Sequence, residues 1–141
     1  MKRLHGSCLC QAVRFTIPDK VKWSAHCHCH QCQKAHGAAF VTWVGIDKDH
    51  IEFVSGEAQV EWYASSALGQ RAHCMQCFSP LFFQSERWGD EIHIARALLD
   101  DELSHEVQAH AYYDRHVKWT SADPHLPKRG GEDGTQPLEN Q

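Results

Sequence analysis

Three cysteines, Cys27, Cys29 and Cys32, lie within six positions of the chain. In an extended segment, residues two apart point to the same side, so Cys27 and Cys29 can present both sulfurs to one point. Cys32 can return to that point if the chain turns. Zinc prefers four thiolate or imidazole donors in a tetrahedral arrangement. The spacing therefore predicts a zinc site with three ligands from one run, here called the trio, and a fourth position to be filled.

The four other cysteines form two pairs, Cys8/Cys10 and Cys74/Cys77, that complement each other. Together they can make a closed site of four thiolates, here called the quartet, which ties the first strand to the middle of the chain. Structural zinc contributes about 10–16 kcal/mol in small peptides. That is comparable with the total stability of a domain, about 5–15 kcal/mol. We expect the quartet to hold a structural zinc, which makes two zinc ions per chain.

The trio is then left with an open fourth position, and this is the arrangement of a catalytic zinc. A site of three thiolates is soft, so a small-molecule thiol is the first substrate to consider. The metal would hold that thiol as a thiolate at neutral pH, poised to attack an electrophilic carbon. Cys27, Cys29 and Cys32 are therefore candidate catalytic residues in their role as zinc ligands. No acid–base pair is evident, and a metal-bound thiol needs none for its deprotonation.

Several alternatives stay open at this point. A histidine could cap the trio and make it structural; the candidates are His26, His28, His30, His36 and His73. The first three face away from the trio if the run is extended. Cys74 and Cys77 could be a redox pair, or could join Cys27 and Cys29 in a different grouping. The spacings do not match those of ferredoxin iron–sulfur sites.

Composition bounds the class of protein. The chain has 141 residues, 42% of them hydrophobic, and a net charge of −4, which predicts one domain over residues 1–127. Proline and glycine interrupt the polar end, so we expect a disordered tail over residues 128–141. No run of Lys or Arg indicates a nucleic-acid or membrane partner. Residues 1–6 lack a signal sequence and no segment approaches the ~20 apolar residues of a membrane span. We therefore expect a cytoplasmic protein with reduced cysteines; its oligomeric state is not indicated.

Alternating apolar residues predict short strands at regular spacing and few helices. Val13, Phe15 and Ile17 mark one strand, which Pro18 ends, and a short helical turn over residues 31–36 is closed by Gly37. Further strands are expected near residues 21–25, 39–44, 51–54, 60–64 and 92–95, with residues 106–113 extended. The pattern predicts a mainly β fold built on an antiparallel sheet.

Three cysteine clusters in this order and spacing resemble a known family. Gly6-Ser7-Cys8-Leu9-Cys10, Cys27-His28-Cys29-His30-Gln31-Cys32 and Cys74-Met75-Gln76-Cys77 are similar to the glutathione-dependent formaldehyde-activating enzymes, relatives of centromere protein V. The resemblance runs from about Gly6 to Trp119. It implies an Mss4-like, zinc-containing, antiparallel β-sheet fold with short helical turns.

The resemblance also implies roles for the clusters. Its first and third clusters carry a structural zinc, and its middle cluster carries the catalytic zinc. The implied activity joins glutathione to formaldehyde to give S-(hydroxymethyl)glutathione, formally the reverse of a carbon–sulfur lyase reaction. Glutathione carries two carboxylates, with which Lys34 or Arg71 could pair, although both could equally be solvated surface cations. A non-catalytic, zinc-stabilised binding module of the Mss4-like type and a thiol oxidoreductase are the competing functions.

The chain departs from the family pattern at two positions. The family usually has glycine after the second cysteine of each pair in the quartet, where this chain has Gln11 and Phe78. Glycine adopts a positive φ in a tight turn without strain, whereas other residues do so at a cost. We therefore expect slightly altered turns around the quartet, with all four sulfurs retained.

Overall fold

A computed structural model describes residues 2–138 and shows a mainly β architecture with antiparallel sheets and short helices. The predicted fold class is thus confirmed. The strands are β1 (Arg3–Ser7), β2 (Arg14–Pro18), β3 (Trp23–Cys27), β4 (Val41–Asp47), β5 (Glu52–Ser55), β6 (Val60–Ala64), β7 (Gly69–Cys74), β8 (Pro80–Ser85), β9 (Glu91–Ala95), β10 (Ala109–Ala111), β11 (Arg129–Gly130) and β12 (Gln136–Pro137). Helix α1 spans His30–His36, and 3₁₀ turns span Lys48–His50, Glu57–Gln59, Glu86–Trp88, Arg96–Leu98 and Tyr113–Arg115. Within residues 2–138 no helix is long and apolar enough to cross a bilayer.

Backbone proximity divides the described chain into two compact units, each made of two sequence segments. The first unit comprises residues 2–23 and 44–106, and the second comprises residues 24–43 and 107–138. The organisation into one domain over residues 1–127 stays a prediction.

The first unit contains a three-stranded sheet and a longer antiparallel meander. The order β1-β2-β5 makes the small sheet, and β9, β8, β7 and β6 follow one another in the meander. Val13, Phe15 and Ile17 of the predicted strand are fully buried. Phe15 packs edge-to-face on Phe82 with ring centroids 5.4 Å apart. The apolar alternation of the sequence thus builds the core that supports the quartet.

The second unit is arranged around β3 and β10, which pair in parallel with His26 opposite His110 and Ala111 opposite Cys27. β3 leads directly into the trio. Helix α1 follows, and Gly37 ends it in the left-handed region at φ 59°. The predicted helical turn closed by this glycine is confirmed. Parallel pairing with a distant segment was not predicted for β3, because the local pattern of residues does not reveal its partner.

The C-terminal segment differs from the expectation of disorder over residues 128–138. β11 and β12 pair in an antiparallel register there, and Gly130 is buried. The Gly131 N–H donates to the Asp114 carboxylate, and the Tyr112 N–H donates to the Gly134 carbonyl. Prolines and glycines shape turns here instead of preventing structure. Residues 139–141 of the expected tail lie outside the described residues.

Candidate metal centres

The quartet lies in the first unit, where its four Sγ atoms are all within 4.8 Å of one another. The Sγ atoms of Cys8 and Cys10 are 3.6 Å apart, and those of Cys10 and Cys74 are 3.9 Å apart. Cys8 and Cys74 are buried, whereas Cys10 is exposed. These separations exceed a disulfide bond and place four sulfur donors around one point. The quartet could therefore hold a metal ion.

Two similar turns carry the quartet. The Cys8 N–H donates to the Val13 carbonyl and the Cys74 N–H donates to the Ser79 carbonyl, so each turn spans six residues. Backbone N–H groups also donate to sulfur, from Val13 to Cys8 at 3.4 Å and from Gln76 to Cys74 at 3.3 Å. Hydrogen bonds of this kind stabilise negative charge on the sulfurs, which suits thiolate ligands.

The two departures from the family's glycines keep the left-handed backbone of the turns. Gln11 has φ 65° and Phe78 has φ 61°. A non-glycine residue in this region of φ is strained. The Phe78 ring stacks on the His73 ring with centroids 5.9 Å apart, and this contact offsets part of the strain. This geometry does not show the altered turns that we expected. The backbones of Gln11 and Phe78 both adopt the positive φ that glycine would favour.

The trio lies in the second unit, and its three Sγ atoms are likewise within 4.8 Å of one another. The Sγ atoms of Cys32 and Cys27 are 3.5 Å apart. Within residues 2–138 no histidine, aspartate, glutamate or fourth cysteine joins this group. The trio could therefore hold a metal ion with three protein ligands, and none of the five histidines considered from the sequence caps it.

Local structure positions the trio. Cys29 is the N-cap of α1, and its Sγ accepts a hydrogen bond from the Cys32 N–H at 3.3 Å. The chain therefore turns between these residues as the spacing requires. The indole Nε1–H of buried Trp43 donates to the Cys32 Sγ at 3.4 Å. Sequence analysis did not assign this contact, because Trp43 is eleven residues away in a strand.

Crowded sulfurs oppose ionisation without a cation. Hydrogen bonds with the Cys29 and Cys32 thiols, together with burial, raise the pKa of Cys27 well above its ordinary value. In the quartet, hydrogen bonds with Ser79 and Cys10 lower the pKa of Cys77 to about 5. A cation bound among the sulfurs of either cluster would let all of them ionise together.

The histidines beside the trio belong to another network in the second unit. His26 bonds the Thr42 hydroxyl at 2.8 Å through Nδ1 and the Asp123 carboxylate at 2.5 Å through Nε2. The His28 Nε2 lies 2.8 Å from the Nδ1 of His110. Burial, followed by repulsion from His110 and His26, lowers the pKa of His28 to about 4. His110 and Asp123 carry no local sequence signal, although twelve histidines in 141 residues is a high count.

Lys34 and Arg71, the two cations considered from the sequence, and the tryptophans Trp62 and Trp119 are dispersed over the chain. Lys34 is exposed on α1, the helix that bears Cys32. Arg71 lies in β7 of the first unit, with its guanidinium 5.0 Å from the Phe83 ring centroid. Trp62 packs against the core of that unit, whereas Trp119 is 75% exposed. Of these residues, Lys34 and Trp119 are in the same unit as the trio, as is Trp43.

Comparison with known proteins agrees with the arrangement of the thiols. The family model described as glutathione-dependent formaldehyde-activating enzyme matches residues 3–115, which include all seven cysteines. The chain belongs to this family. The family expected from the sequence is therefore confirmed.

Individual relatives are more distant. A Halomonas elongata protein named as a glutathione-dependent formaldehyde-activating enzyme is 29% identical over 106 residues, which cover 71% of this chain and 68% of that protein. A Schizosaccharomyces pombe protein named as a lyase is 32% identical over 84 residues, 59% of this chain and 58% of its own length. The match with the yeast protein thus spans little more than half of either chain.

A solved structure shows the same fold. The crystal structure of a Rhodobacter sphaeroides protein superposes with a TM-score of 0.57 at 18% sequence identity. The match covers 74% of this chain and 97% of the Rhodobacter chain. At this identity the likeness supports the β architecture of the present chain. It carries no conclusion about activity.

Proposed function

We propose that this chain is a zinc-dependent enzyme of the carbon–sulfur lyase class that forms or cleaves S-(hydroxymethyl)glutathione. In this proposal the quartet holds a structural zinc and the trio holds a catalytic zinc. The observation that carries it is the trio itself: three sulfurs gathered at one point with no fourth side-chain donor among the described residues. We further propose a cytoplasmic location, where such thiols remain reduced.

The sulfur geometry supports zinc as the metal. Tetrahedral coordination with a Zn–S distance of about 2.3 Å requires sulfurs about 3.8 Å apart. The sulfur pairs described above are separated by 3.5, 3.6 and 3.9 Å. Both donor sets therefore match the ion in size as well as in chemical softness.

The chain's own residues would prepare the site for a thiol substrate. A zinc ion bound by the trio supplies a thiophilic Lewis acid that favours the ionised form of a small thiol at neutral pH. The Trp43 indole and the Cys32 N–H donate to sulfurs of the trio, which stabilises their charge and fixes their positions. In the overall reaction a sulfur–carbon bond forms, the carbonyl bond of formaldehyde opens, and the thiol proton ends on oxygen.

Metal content and ligand binding test the proposal together. We expect two zinc ions per chain by elemental analysis and glutathione binding by calorimetry. Exchange between formaldehyde and S-(hydroxymethyl)glutathione, measured by NMR exchange spectroscopy, should be faster with the protein than without it. With cobalt in the trio, glutathione should also change the sulfur-to-metal absorption bands.

The competing functions give different results in the same measurements. Two zinc ions without glutathione binding or catalysed exchange would contradict the enzyme and favour the binding module. One zinc ion together with a reversible disulfide would favour the oxidoreductase. Free-thiol titration separates this last case, because the enzyme should show few titratable thiols before denaturation.

Lys34 offers a specific test of substrate contact. Its exposed ammonium on α1 is placed in the unit of the trio and can pair with a glutathione carboxylate. A surface pair contributes about 0.2–1 kcal/mol, so Lys34→Gln should weaken glutathione binding about 1.5- to 5-fold. Lys48→Gln removes the same charge from the first unit and should leave the affinity unchanged. Equal effects of both variants would exclude a specific pair.

A further inference from the structure

A chain of hydrogen bonds connects three groups inside the second unit. His28 is 4% exposed and His110 is fully buried. The His28 Nε2 is 2.8 Å from the His110 Nδ1, and the His110 Nε2 is 2.9 Å from the backbone carbonyl oxygen of Asp123. Each imidazole thus has a defined partner on at least one nitrogen.

The Asp123 carbonyl fixes the tautomers of both rings. A carbonyl oxygen only accepts hydrogen bonds, so the His110 Nε2 must carry the proton and donate. In a neutral ring the His110 Nδ1 is then an acceptor, and the His28 Nε2–H donates to it. The His28 Nδ1 is consequently an unprotonated acceptor with a lone pair. This assignment follows from the hydrogen-bond geometry of two neutral rings.

The His28 Nδ1 has no hydrogen-bond partner among the described residues, although it is buried. An unsatisfied buried acceptor costs about 1–3 kcal/mol, so such groups usually bind a ligand or an ordered water. His28 lines a small cleft, partly open to solvent. The other lining residues are Phe40, Tyr113, His116, Val117, Thr120, Ser121 and Ala122.

Contacts around the cleft hold it in shape. The Tyr113 and His116 rings stack with centroids 4.0 Å apart. The Tyr113 ring also packs edge-to-face on the His28 ring, with centroids 5.1 Å apart. The segment that includes residues 120–122 is fixed beside them, because Asp123 is bonded to both His26 and His110. The walls are therefore rigid aromatic and imidazole rings together with small side chains.

We propose that this cleft binds the O–H group of a small neutral molecule, with the His28 Nδ1 as the hydrogen-bond acceptor. A donor is required because the unpaired Nδ1 lone pair can only accept. A neutral group is favoured because no aspartate or glutamate lines the cleft to stabilise a cation. A hydroxyl fits the space, which has room for about one group the size of a water molecule.

Two molecules could supply this hydroxyl. One is the hydroxymethyl group of S-(hydroxymethyl)glutathione, a source that rests on the proposed function. The other is the hydrate of free formaldehyde, which carries two hydroxyls and requires no bound thiol. His28 lies between Cys27 and Cys29 in the sequence, so the segment that bears the trio also bears this acceptor.

Side-chain NMR of the ¹⁵N-labelled full-length protein tests the acceptor directly. We expect a protonated Nε2 and an unprotonated Nδ1 in His28, and a proton on Nδ1 would overturn the proposal. Three probes are then added separately: glutathione with excess formaldehyde, formaldehyde alone, and S-methylglutathione. The Nδ1 resonance should shift with at least one hydroxyl-bearing probe and remain unchanged with S-methylglutathione.

A conservative variant separates the ligand contact from the internal bond. His28→Gln retains a side-chain N–H near the Nε2 position for His110 but removes the Nδ1 acceptor. It should bind the hydroxyl-bearing probe about 10-fold more weakly and S-methylglutathione as well as the wild type does. His50→Gln, in the first unit, is the matched control and should change neither affinity. If His28→Gln does not fold, Ala122→Leu fills the cleft while retaining His28 and should abolish the Nδ1 shift.

The outcomes are distinguishable from failure of the proposed function. A shift with formaldehyde alone supports the cleft even if glutathione does not bind at all. A shift only with the glutathione adduct supports both proposals. Equal binding of the adduct and S-methylglutathione without a shift of Nδ1 overturns the cleft and leaves the proposed function intact. If no probe shifts the Nδ1 resonance, the cleft holds only a bound water. That result overturns the proposed binding of a hydroxyl group.

Discussion

The quartet and the trio use the same chemical group in different local structures. The quartet joins two turns that are more than sixty residues apart, and the Cys10 and Cys74 sulfurs meet across that separation. The trio comes from the end of β3 and the first turn of α1, within one run of the chain. A metal ion bound by the quartet would therefore close a long loop, whereas one bound by the trio would close only a short one.

The two clusters also differ in how many donors the fold gathers. Four sulfurs around one point satisfy the tetrahedral preference of zinc, whereas three leave one position to an outside ligand. Under the proposed function, this difference would make the quartet a structural site and the trio a site that exchanges its fourth ligand. Substitutions in either cluster test this division.

Cys74→Ser should have the largest effect. Cys74 is fully buried in the first unit, and losing the quartet's metal removes a contribution on the order of 10 kcal/mol. We expect a variant that is unfolded or insoluble, as judged by circular dichroism and recovery after expression. A variant with wild-type thermal unfolding and two metals per chain would contradict the structural role of the quartet.

Cys29→Ser should lose one metal and stay folded. Serine is a favourable N-cap, so α1 can form without the Cys29 sulfur that caps it in this chain. Elemental analysis should fall from two zinc ions to one, with no detectable glutathione binding. Unfolding of this variant, combined with a folded Cys74→Ser, would reverse the assignment of the two sites.

Trp43→Phe should weaken metal binding in the trio while retaining the ring. The change removes the indole N–H that donates to Cys32, and loss of such outer contacts costs about 10- to 100-fold in metal affinity. Competition with a chelator measures this affinity, and the quartet should be unaffected. Trp62→Phe, in the core of the first unit, is the matched control. Equal chelator resistance of Trp43→Phe and the wild type would show that the indole does not tune the site.

Gln11→Gly should give the smallest change and the opposite sign. Gln11 has φ 65°, where a side chain costs about 1–2 kcal/mol that glycine avoids. Glycine also gives the unfolded chain more entropy, which offsets part of this gain. We therefore expect a net stabilisation of about 0.5–1 kcal/mol, measured by denaturant titration. Leu9→Gly in the same turn lacks the positive φ and should destabilise the fold by about the same amount. A destabilised Gln11→Gly variant would show that the turn carries no strain.

Local patterns were sufficient to predict much of this arrangement. The alternation of Val13, Phe15 and Ile17 predicted a buried strand, and the position of Gly37 predicted the end of α1. Both depend on neighbours within a few residues, which a sequence displays directly. The division of seven cysteines into four and three followed from spacing and from the coordination number of zinc.

Contacts between distant segments could not be predicted in the same way. His28 and His110 are 82 residues apart, and nothing in either neighbourhood indicates the other. The sequence predicted only that His28 would face away from the trio, not what it would face. The pairing of β11 with β12 was missed because glycine and proline occur both in turns and in disordered segments.

The parallel pairing of β3 with β10 has a consequence for synthesis. The final cysteine of the quartet is residue 77, so that cluster can close while the ribosome is still adding later residues. β3 must wait for residues 109–111 before its own edge is covered. Because domains assemble as their segments emerge, the nascent protein should be able to close the quartet before β10 covers the edge of β3 beside the trio. A partly made chain could then be stabilised at the quartet while its second unit is still incomplete.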